Sequence, residues 1–350
     1  MTIRIGFVGC GHIASVHSFA IGARGVAGIV DARVVAAYDA DRGRATQLAA
    51  AHGAIVTDEV ESLLDACETV WVCTWTSEHL PVVRAAVERG RSVFCEKPLA
   101  PTLAECEEVA ALLRQVPHQV DLVLRQAPVF RALSEAVHSG RFGRPLATVF
   151  RDDQYFPNQG MYHSEWRADA SLAGGGTLIE HSIHDVDVLR WVLGDPAEVS
   201  ARITNRFGHA GIDDVAAVTF AYPDASVATL ISIWHQVLRR PSTRRVEVFC
   251  EDALLWTDDD YLGPLHVETT DAVSQIDAVF PAWLGDLQLA PEIAGLLAPY
   301  VVAVRAFLDA LATGASGEPD ADTALAAHRL VDAAYRSATA GGVPLPAPAR

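Results

Sequence analysis

Residues 3–14 read IRIGFVGCGHIA and decide the first half of the fold. The apolar run at 3–8 predicts a buried strand, and the residues after it have the form GxGxxA. The first glycine permits a tight turn, the second lets the backbone approach a pyrophosphate, and the alanine allows close packing of helix on strand. We therefore predict a dinucleotide site whose contacts are Gly9, Gly11, His12, Ile13 and Ala14. A glycine-rich turn in a domain that binds no nucleotide is the alternative.

The segments after this stretch extend the same pattern. Short β-rich runs, VVAAYD at 34–39, TVWVCTW at 69–75 and SVFCEKP at 92–98, alternate with helical patterns up to about residue 125. Later strands follow one another without intervening helices, which is typical of an antiparallel sheet. We predict an α/β Rossmann domain with a doubly wound parallel sheet over residues 1–123. Residues 124–350 are predicted to form an α+β domain with an open, largely antiparallel sheet, for substrate binding and oligomerisation.

Composition narrows the class of protein. Half of the 350 residues are apolar, which is enough for a large core and suggests two domains. The formal net charge of −17, without a basic run, opposes binding to nucleic acid or anionic lipid. We find no stretch that approaches bilayer-spanning length, no export signal and no CxxC pair among the six cysteines. These features predict a cytoplasmic protein with reduced thiols, no membrane partner, no nucleic-acid partner and a small-molecule substrate.

The second predicted strand ends in Asp39. A carboxylate there can accept both hydrogens of an adenosine ribose diol and would repel a 2′-phosphate, which favours NAD. Arg42 and Arg44 follow closely and can receive a 2′-phosphate, so NADP remains possible.

The strand at 92–95 runs into Glu96-Lys97-Pro98. This places a glutamate and a lysine at the carboxyl edge of the parallel sheet, where open α/β sheets bind ligands. A surface ion pair before a proline turn is the alternative. The Lys97-Pro98 bond is a candidate cis peptide.

A glycine run precedes a second polar segment, GGGTLIEHSIHDVD at 174–187. If 177–193 form one helix, Glu180, His184 and Asp187 share a face by their i, i+4, i+7 spacing. In a plainer interpretation, Thr177 and Glu180 form a capping box. A metal held by Glu180 and His184 is disfavoured, because no third ligand has convincing spacing.

The order of these motifs resembles the glucose-fructose oxidoreductase, inositol dehydrogenase and MocA family over essentially the whole chain. The resemblance implies an oxidoreductase that transfers a hydride between NAD(P) and a hydroxyl or keto carbon of a sugar, polyol or sugar derivative. It implies a homodimer or homotetramer. We predict no metal, because hydride transfer to a nicotinamide does not need one. Lys97 and His184 match the family's catalytic lysine and histidine, and Glu180 stands where the family usually has an aspartate. The further cofactor contacts that it suggests are Thr74, Trp75, His79, Glu96 and Lys97, with Glu96 on the nicotinamide ribose.

The resemblance also suggests roles in catalysis. His184 would remove the hydroxyl proton while Lys97 hydrogen-bonds the same oxygen, and Glu180 would orient the imidazole or bind a neighbouring hydroxyl. The predicted substrate contacts are Lys97, Tyr162, Trp166, Arg167, Glu180, His181, His184 and His235. Besides Glu180, two further departures from the family pattern are Trp75 in place of a proline and Ser182 in place of a glycine. A glycosidase that oxidises its sugar transiently and a non-catalytic regulator are the alternatives, and the presence of both Lys97 and His184 argues against the regulator.

Overall fold

The structure is a computed structural model that describes residues 2–22, 31–160, 162–287 and 291–348. Its helices are α1 His12–Gly22, α2 Arg42–His52, α3 Val60–Ala66, α4 His79–Glu88, α5 Leu103–Leu113, α6 Pro128–His138, α7 Ala170–Ala173, α8 Thr177–Glu180, α9 Ile183–Leu193, α10 Pro291–Ala312 and α11 Ala321–Thr339. Its strands are β1 Ile3–Val8, β2 Ala32–Tyr38, β3 Ile55–Val56, β4 Thr69–Val72, β5 Ser92–Cys95, β6 His118–Val120, β7 Pro145–Tyr155, β8 Glu198–Thr204, β9 Val215–Ala221, β10 Val227–His235, β11 Thr243–Cys250, β12 Leu254–Thr257, β13 Leu265–Glu268, β14 Val273–Ile276 and β15 Leu345–Pro346.

The chain divides into two compact units, and neither is continuous in sequence. The first unit consists of Met1–Val123 and Phe280–Leu325, and the second of Leu124–Val279 and Ala326–Arg350. The sequence places all of 124–350 in one domain, whereas the structure assigns Phe280–Leu325 to the first unit. The reason is packing, because Val301, Val304, Phe307 and Leu308 of α10 complete the hydrophobic core that contains Trp71.

The first unit holds a six-stranded sheet in the order β3-β2-β1-β4-β5-β6, and every pairing is parallel. This is the doubly wound order predicted from the sequence, and the prediction of fold class is confirmed. The order reverses beside β1, so the carboxyl ends of β1, β4 and β5 open at the point where such sheets bind ligands.

The second unit holds a nine-stranded sheet in the order β14-β13-β12-β11-β7-β10-β9-β8-β15. Only the β7–β10 pairing among those described is parallel, so the sheet is largely antiparallel, as predicted. Along β10, Leu230, Ser232 and Trp234 are buried and alternate with residues that are partly exposed. One face of this sheet therefore carries the buried core of the unit.

The predicted single helix over 177–193 is wrong, since α8 ends at Glu180 and α9 begins at Ile183. Ser182 interrupts it: its hydroxyl donates to Asp152 Oδ2 at 2.8 Å and lies 2.6 Å from Ser232 Oγ. Glu180 and His184 consequently belong to different helices, and the predicted polar stripe along one helix face does not form.

The sequence analysis found no apolar stretch that approaches bilayer-spanning length, and this prediction is also wrong. Gly295–Ala312 of α10 form one 18-residue window that is apolar enough to cross a membrane, and half of it is buried in the protein. A core helix of this kind passes the same test, and several of these residues lie in the core of the first unit.

Candidate active site

The glycine loop after β1 has the geometry that the sequence predicts. Gly9 has φ of +86°, and a Cβ there would stand 2.5 Å from the backbone of Cys73. A Cβ on Gly11 would meet no atom within 4 Å among the described residues, so its absence leaves open space above the loop. Ala14 is fully buried, whereas His12 is exposed at the start of α1 and Ile13 is half-buried. The loop therefore combines close packing below with an open approach above.

These residues fit a dinucleotide. The first turn of α1 presents backbone N–H groups, which suit a pyrophosphate. Thr74 Oγ1 is shielded from solvent and makes no hydrogen bond among the described residues. Asp39 lies at the loop, where Oδ2 accepts from Cys10 N at 2.7 Å and Oδ1 accepts from Asp41 N at 2.8 Å. Each carboxylate oxygen keeps a second lone pair for a ribose hydroxyl.

The two arginines behind Asp39 already have acidic partners. Arg42 pairs with Asp58, and Arg44 Nε lies 3.6 Å from Asp41 Oδ2. Both pairs are exposed and weak, yet they reduce the positive charge offered to a 2′-phosphate.

The segment after β5 turns at a cis Lys97-Pro98 peptide, so that prediction is confirmed. Trp75, which follows Thr74 after β4, is exposed. The predicted cofactor contact of His79 stays a prediction, and in the structure its ring is buried next to backbone carbonyls. Its Nδ1 lies 2.8 Å from Pro98 O, and its Nε2 lies 3.4 Å from Thr74 O. We conclude that His79 holds the Lys97-Pro98 turn against the start of α4.

The predicted contact of Glu96 with the nicotinamide ribose stays a prediction, and its carboxylate already has partners within the protein. Its side chain points into the first unit, where Oε1 lies 2.8 Å from His17 Nε2 and Oε2 accepts from the backbone N–H of Lys97 at 3.3 Å. Sequence reasoning missed His17. The available signal was its position three residues after Ala14, on the buried face of the dinucleotide helix. A second missed signal concerns Lys97, since 26 of the 27 lysine and arginine residues are arginine and Lys97 is the only lysine.

In the second unit, Glu180 is fixed by an arginine. Arg167 Nε donates to Glu180 Oε2 at 2.7 Å, Arg167 Nη1 donates to Ser164 Oγ at 2.9 Å, and the guanidinium lies 4.4 Å from the Trp166 ring centroid. The capping-box interpretation is wrong, because Gly176 is the N-cap of α8 and makes no side-chain cap. Trp166, Arg167 and Glu180 therefore lie next to one another. That all three contact the substrate stays a prediction.

The glycine run at 174–176 is packed tightly. Asp213 accepts from Gly176 N at 2.7 Å, from Leu178 N at 3.0 Å and from the Tyr335 hydroxyl at 2.7 Å. A Cβ on Gly175 would stand 2.7 Å from the Tyr335 hydroxyl oxygen. These contacts fix the start of α8, so the run supports the short helix that carries Glu180.

His181 occupies the break between α8 and α9. Its Nε2 lies 3.1 Å from Asp152 Oδ1 and 3.2 Å from Arg244 Nη2. His184 is largely buried in the first turn of α9. Tyr162 is half-buried, with its ring centroid 5.6 Å from that of Tyr155, and burial raises the pKa of its hydroxyl.

A buried charged network supports this break. Arg244 donates to Asp185 Oδ1 at 2.6 Å and to Asp260 Oδ2 at 2.7 Å. Burial, and then the charge of Asp152, raise the pKa of Asp185 to about 7, against the lowering effect of Arg244. Asp185 Oδ2 finds no hydrogen-bond donor among the described residues, and burial raises the pKa of Asp152 as well, which fits one proton shared between the two neighbouring carboxyl groups. Sequence reasoning missed Arg244, although it shares strand parity with the buried Val246.

His235 does not join these residues. It alternates along β10 with Trp234 and Ser232, which face the buried core, and its Nε2 lies 3.5 Å from Asp153 Oδ2. Strand parity places it on the opposite face of β10 from Ser232, and its contact with the substrate stays a prediction.

Comparisons with known proteins identify the family. The model of the oxidoreductase family with an NAD-binding Rossmann fold matches residues 3–122, and that of the GFO/IDH/MocA C-terminal domain matches residues 130–255. Inositol 2-dehydrogenase of Rhizobium meliloti (strain 1021) is 28% identical over 353 residues, covering 96% of this chain and 97% of the relative. The 1,5-anhydro-D-fructose reductase of Ensifer adhaerens is 34% identical over 217 residues, covering 60% of this chain and 63% of that enzyme.

Solved structures share the whole fold. An oxidoreductase domain protein from Kribbella flavida superposes with a TM-score of 0.88 at 24% identity, and levoglucosan dehydrogenase in complex with NADH and L-sorbose with 0.87 at 20%. Both comparisons cover 100% of each chain. The glycine loop, the Glu96-Lys97-Pro98 turn and the two family matches together show that this chain belongs to the GFO/IDH/MocA family of NAD-binding oxidoreductases.

Proposed function

We propose that this chain is an NAD-dependent dehydrogenase, or a reductase in the opposite direction, of an uncharged polyol or sugar. The observation that carries the proposal is the arrangement in the first unit, where the dinucleotide loop with Asp39 and the only lysine both follow strands at the sheet's switch point. When bound, the nicotinamide accepts or supplies the hydride. The loop, Asp39 and Thr74 would hold it.

We assign proton chemistry to His184 and Lys97, following the family pattern. An imidazole with a pKa near neutrality can take the hydroxyl proton as hydride departs from the same carbon. The ammonium group of Lys97 can hydrogen-bond the oxygen and stabilise its developing negative charge. Support for His184 comes from the helix break directly before it, which Ser182 fixes through its hydrogen bond to Asp152.

The charge balance of the second unit favours an uncharged substrate. Arg167 is paired with Glu180, and Arg244 is surrounded by Asp152, Asp185 and Asp260. Both guanidinium groups are thus already neutralised, which weakens recognition of a substrate carboxylate. The names of the relatives, an inositol dehydrogenase and an anhydrofructose reductase, agree with this class.

Polar and aromatic groups are available for such a substrate. Trp166 and Tyr162 offer faces to sugar C–H groups, while Glu180, Arg167 and His181 offer hydrogen bonds to hydroxyls. We further propose a homodimer or homotetramer in the cytoplasm that binds neither nucleic acid nor membrane, in keeping with its net charge of −17.

The test is a panel of polyols, neutral sugars and the corresponding sugar acids, assayed with NAD⁺ for NADH formation. We expect turnover of at least one neutral compound, and a loss of about 10²-fold or more in kcat in Lys97→Ala and His184→Ala. The matched controls are Arg131→Ala and His138→Ala on α6, which should retain activity. Wild-type turnover in both site variants would refute the assignment. Cleavage of a glycoside without net NADH formation would favour the glycosidase alternative.

A further inference from the structure

A buried cluster of His17, Glu96 and Asp121 joins three parts of the first unit. His17 lies on α1, Glu96 follows β5 and Asp121 follows β6, with exposed fractions of 0%, 6% and 2%. His17 Nε2 lies 2.8 Å from Glu96 Oε1 and 3.5 Å from Asp121 Oδ2. One imidazole nitrogen therefore lies close to two carboxylates inside the core.

The residue types would suit a metal ion, and their ligand atoms lie within 4.8 Å of one another. The distances favour a proton instead. Two atoms bound to one tetrahedral zinc at about 2.0–2.1 Å stand roughly 3.3 Å apart, whereas His17 and Glu96 are at N–H···O separation. The rings of Phe94 and Tyr300, with centroids 5.0 and 5.8 Å from that of His17, enclose the imidazole on other sides.

The two carboxylates next to His17 Nε2 favour a cationic imidazole. Burial alone would lower the pKa of His17, but hydrogen bonds and charge from Asp121 and Glu96 outweigh it and raise the pKa to about 9. His17 Nδ1 makes no hydrogen bond among the described residues, which costs free energy. The attraction between the imidazole and the two carboxylates outweighs this cost.

The cluster reaches Lys97 through Glu96. One oxygen of Glu96 binds His17 and the other accepts from the backbone N–H of Lys97, so the carboxylate is held from both sides. Removing the His17 cation would leave Glu96 and Asp121 buried next to each other with unbalanced charge. Glu96 would then shift or take up a proton, and the backbone that carries Lys97 would shift with it.

We propose that His17 is a positioning residue, which as a cation between Glu96 and Asp121 fastens the Glu96-Lys97 turn to the dinucleotide helix and so sets the place and charge environment of the Lys97 ammonium group. The inference rests on the proposed role of Lys97. Three groups face His17: Glu96 after β5, Asp121 after β6 and Tyr300 of α10. Lys97 lies beside Glu96, and Cys73 after β4 lies near both carboxylates.

The kinetic test compares His17→Gln with Ser18→Ala, a buried neighbour on α1 outside the cluster. We expect His17→Gln to lower kcat roughly 10–100-fold, because small misplacement of a reacting group costs that much. The KM for NAD⁺ and the Kd for NADH should stay within about threefold, since the glycine loop is intact. A kcat within twofold of wild type would overturn the proposal, as would equal losses in kcat and NADH affinity.

A second test needs no activity, because Lys97 is the only lysine. Protein labelled with ¹³C only at lysine Cε gives one such signal, and in His17→Gln it should shift and titrate at higher pH, since a neighbouring cation is lost. Ser18→Ala should leave it unchanged, and an unchanged signal in His17→Gln would refute the inference.

If His17→Gln fails to fold, the histidine ¹⁵N spectrum of the wild type tests whether the His17 ring is protonated. The His17 signal is identified by its absence from His17→Gln/Glu96→Gln/Asp121→Asn, and a neutral ring at pH 7.5 would overturn the proposal. A wild type that oxidises nothing would refute the proposed function, and these NMR results would stand apart from that failure.

Discussion

The carboxylate of Asp213 accepts the backbone N–H of Gly176, and the same approach leaves no room for a side chain at residue 176. A Cβ there would stand 1.8 Å from the carbonyl oxygen of Asp213. We expect Gly176→Ala to reduce the free energy of unfolding by about 3 kcal/mol or more, because the backbone of residue 176 or of Asp213 must move to make room for the methyl group. Gly285→Ala is the control, since a Cβ there meets open space. Urea unfolding measures both, and equal stability of the two variants would contradict the contact.

The second prediction concerns the choice of cofactor. Asp39 reaches the loop through Cys10 N, so its carboxylate is held where a ribose diol would bind. Asp39→Ala should weaken NADH binding roughly 10–100-fold, as expected for charge-assisted hydrogen bonds, and affect NADPH much less. Titration of nicotinamide fluorescence measures both constants. Tighter binding of NADPH than NADH by the wild type would overturn the assignment of Asp39.

The third prediction concerns Glu180 and its extra methylene relative to the family's aspartate. The carboxylate reaches Arg167 Nε at 2.7 Å, and shortening the side chain by one carbon withdraws it by about 1.5 Å. We expect Glu180→Asp to lower kcat/KM for the best substrate about tenfold and to change the ranking of substrates. The KM for NAD⁺ should not change. Glu198→Asp, at an exposed position of β8, is the control, and an unaltered substrate ranking would count against Glu180 as a substrate contact.

The fourth prediction concerns the shared proton of Asp152 and Asp185. Burial raises the folded-state pKa of Asp185 to about 7, above its value of about 4 in the unfolded chain. Folding therefore takes up a proton, and this stabilising contribution, present below about pH 4, is lost as the pH rises towards 7. Asp185→Asn mimics the protonated acid. Its stability relative to wild type should increase from pH 5 to pH 8, and parallel stability curves would rule out the shared proton.

The fifth prediction uses the single lysine. An aldehyde such as pyridoxal phosphate, followed by borohydride, should label Lys97 and the terminal amine. No other residue carries a primary amine in its side chain, because Lys97 is the only lysine. Bound NADH should slow the labelling several-fold if Lys97 lies beside the cofactor. Peptide mass mapping measures both sites, and equal rates with and without NADH would argue against that placement.

Sequence patterns predicted the folds of both units because strand and helix periodicities are local. The glycine loop and the cis Lys97-Pro98 turn also follow from nearby residues, so they were predictable. The break between α8 and α9 was not, since it depends on Ser182 bonding Asp152 and Ser232, which come from strands distant in sequence. His17 and Arg244 were missed for the same reason. A buried charged residue is explained by its partners, and the partners are known only from the fold.

The non-continuous first unit also affects how the chain is made. Its sheet is translated before the helix α10, which covers part of its core and follows more than 150 residues later. During that interval apolar residues of the sheet, including Phe7 and Trp71, lack their native cover. Premature release of the nascent chain would expose an apolar, aggregation-prone surface. We therefore expect slow folding that chaperones assist, and a strong loss of soluble protein when the chain is truncated before α10.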